Sequence, residues 1–331
     1  MNHLRKIKPA VYILGLGGIG LFTVLLIREG VGQVGSAIAR TGWGLVGLSL
    51  YHLAQTLSDA AGWSALFPRE FRISLGKSFF LQWIGESINN LLPMGRVGGD
   101  VVMTRFAAIW GAPLKIGIGA MIVDITIGVA IKVILIVAAC IMLIATTGRH
   151  ELIQPALVTV VSGTLAALGF YGVQRLGMFR WSAILASRIT KSPELNALVE
   201  GGESFDQAIS LIYARRSGVA GCFFFWVLSW VLASGEIWLA LLALGVHTTF
   251  TTGLILESAV RAIQGAAFLV PGAFGVQEGG YILLGGLLGI PGEIALALSL
   301  LRRMRELALG IPALISWQIV EAVRLARRKV R

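Results

Sequence analysis

Six stretches of this chain, residues 9–27, 42–67, 114–145, 153–173, 219–244 and 293–317, are apolar for the length a helix needs to cross a bilayer. A hydrocarbon core about 30 Å thick asks for about 20 such residues in an α-helix. Backbone in lipid must satisfy its own hydrogen bonds, so runs of this length become helices. With 56% hydrophobic and 14% charged residues among 331, the chain carries more apolar surface than one soluble core can hide. An outer-membrane barrel would alternate in hydropathy over about ten residues per strand, and these runs do not. The class is all-α integral membrane, with residues 1–331 read as a single membrane domain. Cys140 and Cys222 lie inside apolar runs and have neither disulfide nor metal spacing.

Two further segments, 78–113 and 251–291, are apolar but broken. The first contains PMGRVGGDVVMTRFAAIWGAP from Pro93; the second contains PGAFGVQEGGYILLGGLLGIP from Pro271, 178 residues later. Each block opens on a proline, places an acid seven residues on (Asp100, Glu278), and closes on Gly-x-Pro (Gly111 to Pro113, Gly289 to Pro291). Glycines crowd the break: Gly95, Gly98 and Gly99 in one, Gly272 and Gly275 in the other. Broken backbone at membrane depth is tolerated where it is buried in protein or lines a wet cavity, so each segment is predicted to be a re-entrant helical hairpin. Paired, Gly/Pro-interrupted segments in two halves of a chain are a pointer to the binding site of a transporter built from inverted repeats.

Charge supplies the orientation. In a soluble protein a net charge of +11 would suggest nucleic acid, but here the basic residues follow the loops, and no nucleic-acid partner is expected. With both termini inside, nineteen Lys and Arg fall on the cytoplasmic side and three, Arg28, Arg40 and Arg149, on the other. Three spans separate the hairpins, so they enter from opposite faces, which makes the repeat inverted. The expected architecture is about six full spans plus two re-entrant hairpins, N-in and C-in, multi-pass in the bacterial inner (plasma) membrane. Residues 174–216 read as a cytoplasmic amphipathic linker. Within it Phe205, Ala208, Ile209 and Ile212 have the spacing of a helix lying on the membrane surface.

The ionisable residues at membrane depth are the functional candidates, because each costs about 2.5–3.5 kcal/mol to place there. Arg302, Arg303, Arg305 and Glu306 interrupt the last span, and one helix face cannot hold all three arginines. Glu257 and Arg261, four apart on the first arm of the second hairpin, are placed to pair. Asp124 and Lys132, eight apart in the third span, are expected to meet partners on another helix. Asp124 stands 178 residues before Arg302, so the two halves are expected to bring opposite charges to one centre. Asp100 and Glu278 follow the breaks, where helix N-termini present free N–H groups suited to an anionic head group. His52, near Gln55 and Asp59 in the second span, is read as polar glue, with a proton relay as the alternative. Gly15 to Gly20 matches GxGxxG without the strand and acid that a nucleotide site needs, and is read as helix packing. The histidines are too scattered for a zinc motif, no Walker A sequence is present, and no cofactor is expected.

The stretch PGAFGVQEGGYILLGGLLG followed by ALALSLLRR, and ESINNLLPMGRVGGDVV from Glu86, resemble the flippase-like membrane family that includes the transmembrane region of lysylphosphatidylglycerol synthases. The likeness covers nearly the whole chain, and Asn89-Asn90-Leu91-Leu92-Pro93 with Gly98-Gly99-Asp100 looks like its hopanoid-biosynthesis-associated branch. The resemblance implies movement of a lipid between leaflets, with Pro271, Gly272, Gly275, Glu278 and one of Arg302 or Arg303 matching the family motif. Pro93 and Asp100 take the equivalent places in the earlier block. Family synthases append a soluble aminoacyl-transferase domain that this chain does not carry, so lipid aminoacylation is not expected.

The leading expectation is a flippase or translocase for an anionic or polar-headed lipid, not an enzyme, with Glu278 or Asp100 offering a carboxyl whose protonation can couple to transport. The alternatives are a membrane-embedded enzyme acting on a lipid phosphate or isoprenoid head group, and a noncatalytic partner of lipid-synthesis enzymes.

Overall fold

The computed structural model describes residues 31–92, 98–175, 194–266 and 275–329, with positions 24 and 27. Most of the first expected span, the stretch 176–193 of the linker, and the break positions Pro93, Gly95, Arg96, Pro271 and Gly272 lie outside the described residues. Eleven α-helices follow in order among those described: α1 (Val31–Thr41), α2 (Gly44–Leu66), α3 (Leu75–Leu91), α4 (Gly98–Ile109), α5 (Leu114–Thr147), α6 (Ile153–Arg175), α7 (Glu194–Ala214), α8 (Arg216–Ala243), α9 (Phe250–Ala266), α10 (Val276–Leu287) and α11 (Gly292–Lys329). Short 3₁₀ turns at Arg69–Phe71 and His150–Leu152 link neighbours, and no strand occurs among the described residues.

Among the described residues, three helices are long and apolar enough to cross a membrane: Leu114–Thr147, Arg216–Ala243 and Gly292–Arg324. The expected span at 42–67 is the 23-residue α2. It is less apolar because His52, Gln55, Thr56, Ser58 and Ser64 line its buried face. The burial pattern reverses that of a soluble protein. Glu257 and Glu278 are fully buried and Arg305 is 2% exposed, whereas Leu165 is 65% exposed and Leu283 63%. A surface of leucine and isoleucine around a charged interior suits lipid as the solvent.

The two repeat blocks fold alike. α4 and α10 are each 12 residues long and begin 178 residues apart, and α5 and α11 begin at the same interval. Each short helix ends at a glycine with positive φ, Gly111 at +105° and Gly289 at +77°, a conformation that an L side chain rarely adopts. The Ala112 N–H then bonds the Ala107 carbonyl at 3.1 Å, and the Ile290 N–H that of Gly285 at 2.8 Å. The proline that follows cannot donate, so it starts the next helix instead of extending the last. Ile116 and Ile294 bond back to the Pro113 and Pro291 carbonyls.

Neighbour relations follow the same exchange. α2 and α8 pack on each other; α3 lies on α2 as α9 lies on α8; α4 contacts α3 and α5 as α10 contacts α9 and α11. Each first arm also crosses to the other half, α3 onto α11 and α9 onto α5. One core gathers α8, α9, α10 and α11 around Leu241, Ile255, Tyr281 and Leu296; the other gathers α2, α4, α5 and α7 around Phe67, Phe106, Val123 and Ile212.

The linker stripe is used differently from expectation. Ala208, Ile209 and Ile212 of α7 are buried against α5, where Ile212 approaches Gly119, so this stripe joins the protein core instead of lying on lipid. Helical spacing specifies an apolar face and not what covers it.

Candidate functional site

The acid of each block sits in the first turn of the helix after the break, where backbone N–H groups have no partner within the helix. In α10 this placement is fully used. Glu278 Oε2 accepts the Gly275 N–H at 2.7 Å, and its Oε1 accepts from Arg303 Nε at 2.6 Å and Ser299 Oγ at 3.4 Å, both on α11. Next to Glu278, Gln277 donates to Ser299 at 2.8 Å and accepts from Gln264 of α9 at 2.6 Å. Glycine 275 therefore meets the carboxylate that meets the arginine, and the second arm is tied to the long helix through a buried polar seam.

One turn along, Glu257 of α9 is shared by two guanidinium groups. Arg261 binds Oε1 along the same helix, as the four-residue spacing requires, and Arg302 Nη1 binds Oε2 at 2.5 Å. Arg302 also donates to the Tyr281 hydroxyl of α10 at 2.6 Å. Arg261, with 29% of its side chain exposed, lies 5.1 Å from the Trp230 ring centroid. Both consecutive arginines are thus engaged by the second helix pair, Arg302 by both arms and Arg303 by the return arm.

The third arginine turns elsewhere. Arg305 binds Glu236 of α8, lies 2.8 Å from His52 Nδ1 of α2, and has Glu306 3.8 Å from its Nη2. His52 reaches on to Glu86 of α3 at 2.8 Å. Helical rotation of about 100° per residue explains the division: residues 302, 303 and 305 cannot all share a face, so Arg302 and Arg303 meet the second helix pair while Arg305 turns to α2 and α8. A band of ion pairs therefore crosses the bundle about a third of the way along α11, joining α2, α3, α8, α9 and α10.

The first block assembles less. Asp100 is half-buried beside Asn89 of α3, whose Oδ1 accepts the Gly99 N–H at 2.8 Å. Asp124 accepts from Trp226 Nε1 at 2.9 Å and Cys222 Sγ at 3.4 Å, and Lys132 lies 5.6 Å from the Trp226 ring. Asp124 and Lys132 do meet partners on another helix. Arg302 takes its counter-charge from Glu257 of α9, and Asp124 takes its donors from α8.

Sequence reasoning named Arg305 among the charges of the last span and weighed His52 by itself, but it did not bring either together with Glu86 and Glu236, although each is an ionisable residue in apolar sequence. What joins them is tertiary, with 253 residues between His52 and Arg305. A narrow cleft beside this cluster, lined also by Asn90, Ser87 and Glu306, holds space the size of a water molecule.

The sequence model of the family described as the lysylphosphatidylglycerol synthase TM region matches residues 11–313. A protein from Methanothermobacter thermautotrophicus named "UPF0104 membrane protein" is 20% identical over 295 residues, spanning 86% of this chain and 85% of its own length. No solved structure matches the chain at a significant level.

Proposed function

Since the chain belongs to the lysylphosphatidylglycerol synthase TM region family, we propose that it is a translocase moving an anionic or polar-headed lipid, chemically unchanged, between leaflets of the bacterial inner membrane. The observation that carries this reading is the band of buried guanidinium and carboxylate groups about a third of the way along α11, inside a bundle whose outer surface is rich in leucine, isoleucine and valine. A head group crossing an apolar slab needs polar partners at depth, and arginine grips phosphate in the geometry with which it grips these carboxylates. An entering anionic head group exchanges with Glu257 or Glu278 for Arg302 and Arg303, while the acyl tails stay in lipid. The exchanged carboxylate keeps a second partner, Arg261 for Glu257 and the Gly275 N–H for Glu278.

The matched ends of α4 and α10, and the crossed packing of α3 on α11 and α9 on α5, support two re-entrant hairpins related by an inverted repeat. In that arrangement both termini are cytoplasmic. Single-cysteine labelling at Arg149 and Thr249 places them opposite the C-terminus; labelling on the same face contradicts the inverted arrangement.

The functional test is purified protein in vesicles with a fluorescent lipid. Leaflet exchange of an unaltered lipid supports translocation. A chemically altered lipid by mass spectrometry makes the protein an enzyme, and neither result leaves a partner of lipid-synthesis enzymes. Lipids that co-purify identify the substrate class.

A further inference from the structure

His52 is buried among four helices, and both nitrogens of its ring face a carboxylate. Nε2 lies 2.8 Å from Glu86 Oε1 on α3, and Nδ1 lies 2.9 Å from Glu236 Oε2 on α8. The same Nδ1 lies 2.8 Å from Nη1 of Arg305 on α11, which also binds Glu236 Oε1. A neutral imidazole has one N–H and one bare nitrogen, whereas an imidazolium has two N–H groups. This surround serves both. With the extra proton, Nε2–H donates to Glu86 and Nδ1–H to Glu236. Without it, Nε2–H still donates to Glu86, and the bare Nδ1 accepts from Arg305 Nη1.

The two states differ in which helix the ring holds. Protonated, His52 ties α2 to α3 and α8; deprotonated, it ties α2 to α3 and α11, the helix that carries Arg302 and Arg303. The nitrogens also differ in access, since the Glu86 side chain is 29% exposed and lines the cleft while that of Glu236 is 5% exposed. Glu306 is the further charge facing the cluster from α11, and Thr56 on α2 donates to Glu86 at 3.4 Å. On α5, which also packs on α2, Asp124 and Lys132 are engaged with Trp226. The oxygens of Glu278, by contrast, accept from Gly275, Arg303 and Ser299.

We propose that His52 is a proton-binding site that gains and loses its proton at Nδ1, between Glu236 and Arg305, while its Nε2–H stays on Glu86, and that its occupancy is coupled to head-group movement along α11. On unloading, the Nδ1–H bond breaks as an O–H bond forms on the Glu236 carboxylate, and an Arg305 N–H takes over the vacated nitrogen. The coupling rests on the translocase reading; the proton site rests on the ring geometry alone.

The test uses the full chain in phosphatidylcholine vesicles with trace fluorescent phosphatidylglycerol, the voltage clamped with valinomycin and equal potassium. With one proton per lipid, a step of one pH unit drives the label to about tenfold leaflet asymmetry at equilibrium. The wild type should reach that asymmetry, as should His150→Gln, while His52→Gln and His52→Arg should exchange lipid without it. Asymmetry that persists in either folded His52 variant assigns the proton elsewhere and overturns the proposal. Exchange in the wild type that ignores the pH step overturns the coupling and leaves the translocase standing; no exchange at any pH overturns both. Histidine-selective ¹⁵N NMR of the wild type reads the ring without any variant. A His52 ring fixed in one protonation state from roughly pH 4 to pH 10 overturns the proton site itself.

Discussion

The two helix pairs, α3 with α4 and α9 with α10, share a backbone and differ in what holds them. In the first pair the arms meet through glycine: a Cβ built on Gly99 would lie 2.1 Å from the Gly85 carbonyl oxygen. In the second, the arms and α11 are joined by Glu257, Gln264, Gln277, Glu278 and Tyr281. The partner helices differ accordingly. Where α11 has Arg302, Arg303, Arg305 and Glu306, the same register of α5 has Asp124, Ile125, Ile127 and Gly128. A repeat thus keeps its turns and caps while its halves diverge in chemistry, one into close backbone packing and the other into an ionic site.

That contrast breaks first at the acids. Glu278→Gln leaves Arg303 buried beside a neutral partner and should cost about 3 kcal/mol, the scale of removing one member of a buried pair. Asp100→Asn, with no arginine paired to it among the described residues, should stay within about 1 kcal/mol. Thermal unfolding in detergent measures both, and equal losses would mean that the halves are not divided as described.

Glycine gives the opposite ranking. Gly99→Ala forces the first pair apart and should cost about 2 kcal/mol as overpacking. Gly280→Ala in the second pair meets Ile263 at 3.5 Å, an ordinary contact, and should change stability by less than about 1 kcal/mol. A tolerated Gly99→Ala would show that the arms are not held by backbone approach.

A loss smaller than those at Glu278 and Gly99 sharpens the role of Asp124. Trp226→Phe removes an N–H donor to its carboxylate and should cost about 1.5 kcal/mol, with lipid exchange preserved. Loss of exchange at unchanged stability would move Asp124 into the translocation path.

What the sequence made legible was local. Proline and glycine act on their own turn, so the 178-residue repeat, the ends of α4 and α10, and the acid in each first turn could be read directly. The pairing of Glu257 with Arg261 follows from helix geometry alone. Which acid each of Arg302, Arg303 and Arg305 takes could not, because the choice depends on how α8, α9 and α10 pack around α11. The stripe of Ala208, Ile209 and Ile212 shows the same limit, since protein and lipid ask for the same spacing. His52 read as glue, and it does bind across helices; that both its nitrogens find carboxylates, with an arginine beside one, emerges only when four helices come together.

The central claim is that the charged seam between α11 and the second helix pair moves a lipid head group. The direct measurement is leaflet exchange of unaltered fluorescent lipid in vesicles holding wild type, Glu278→Gln, Arg303→Ala or Asp100→Asn, each verified as folded. The account predicts protein-dependent exchange in the wild type, its loss by about a hundredfold or more in the first two variants, and its retention within about tenfold in the third. Exchange unchanged in both Glu278→Gln and Arg303→Ala, or none above protein-free vesicles in the wild type, would contradict it.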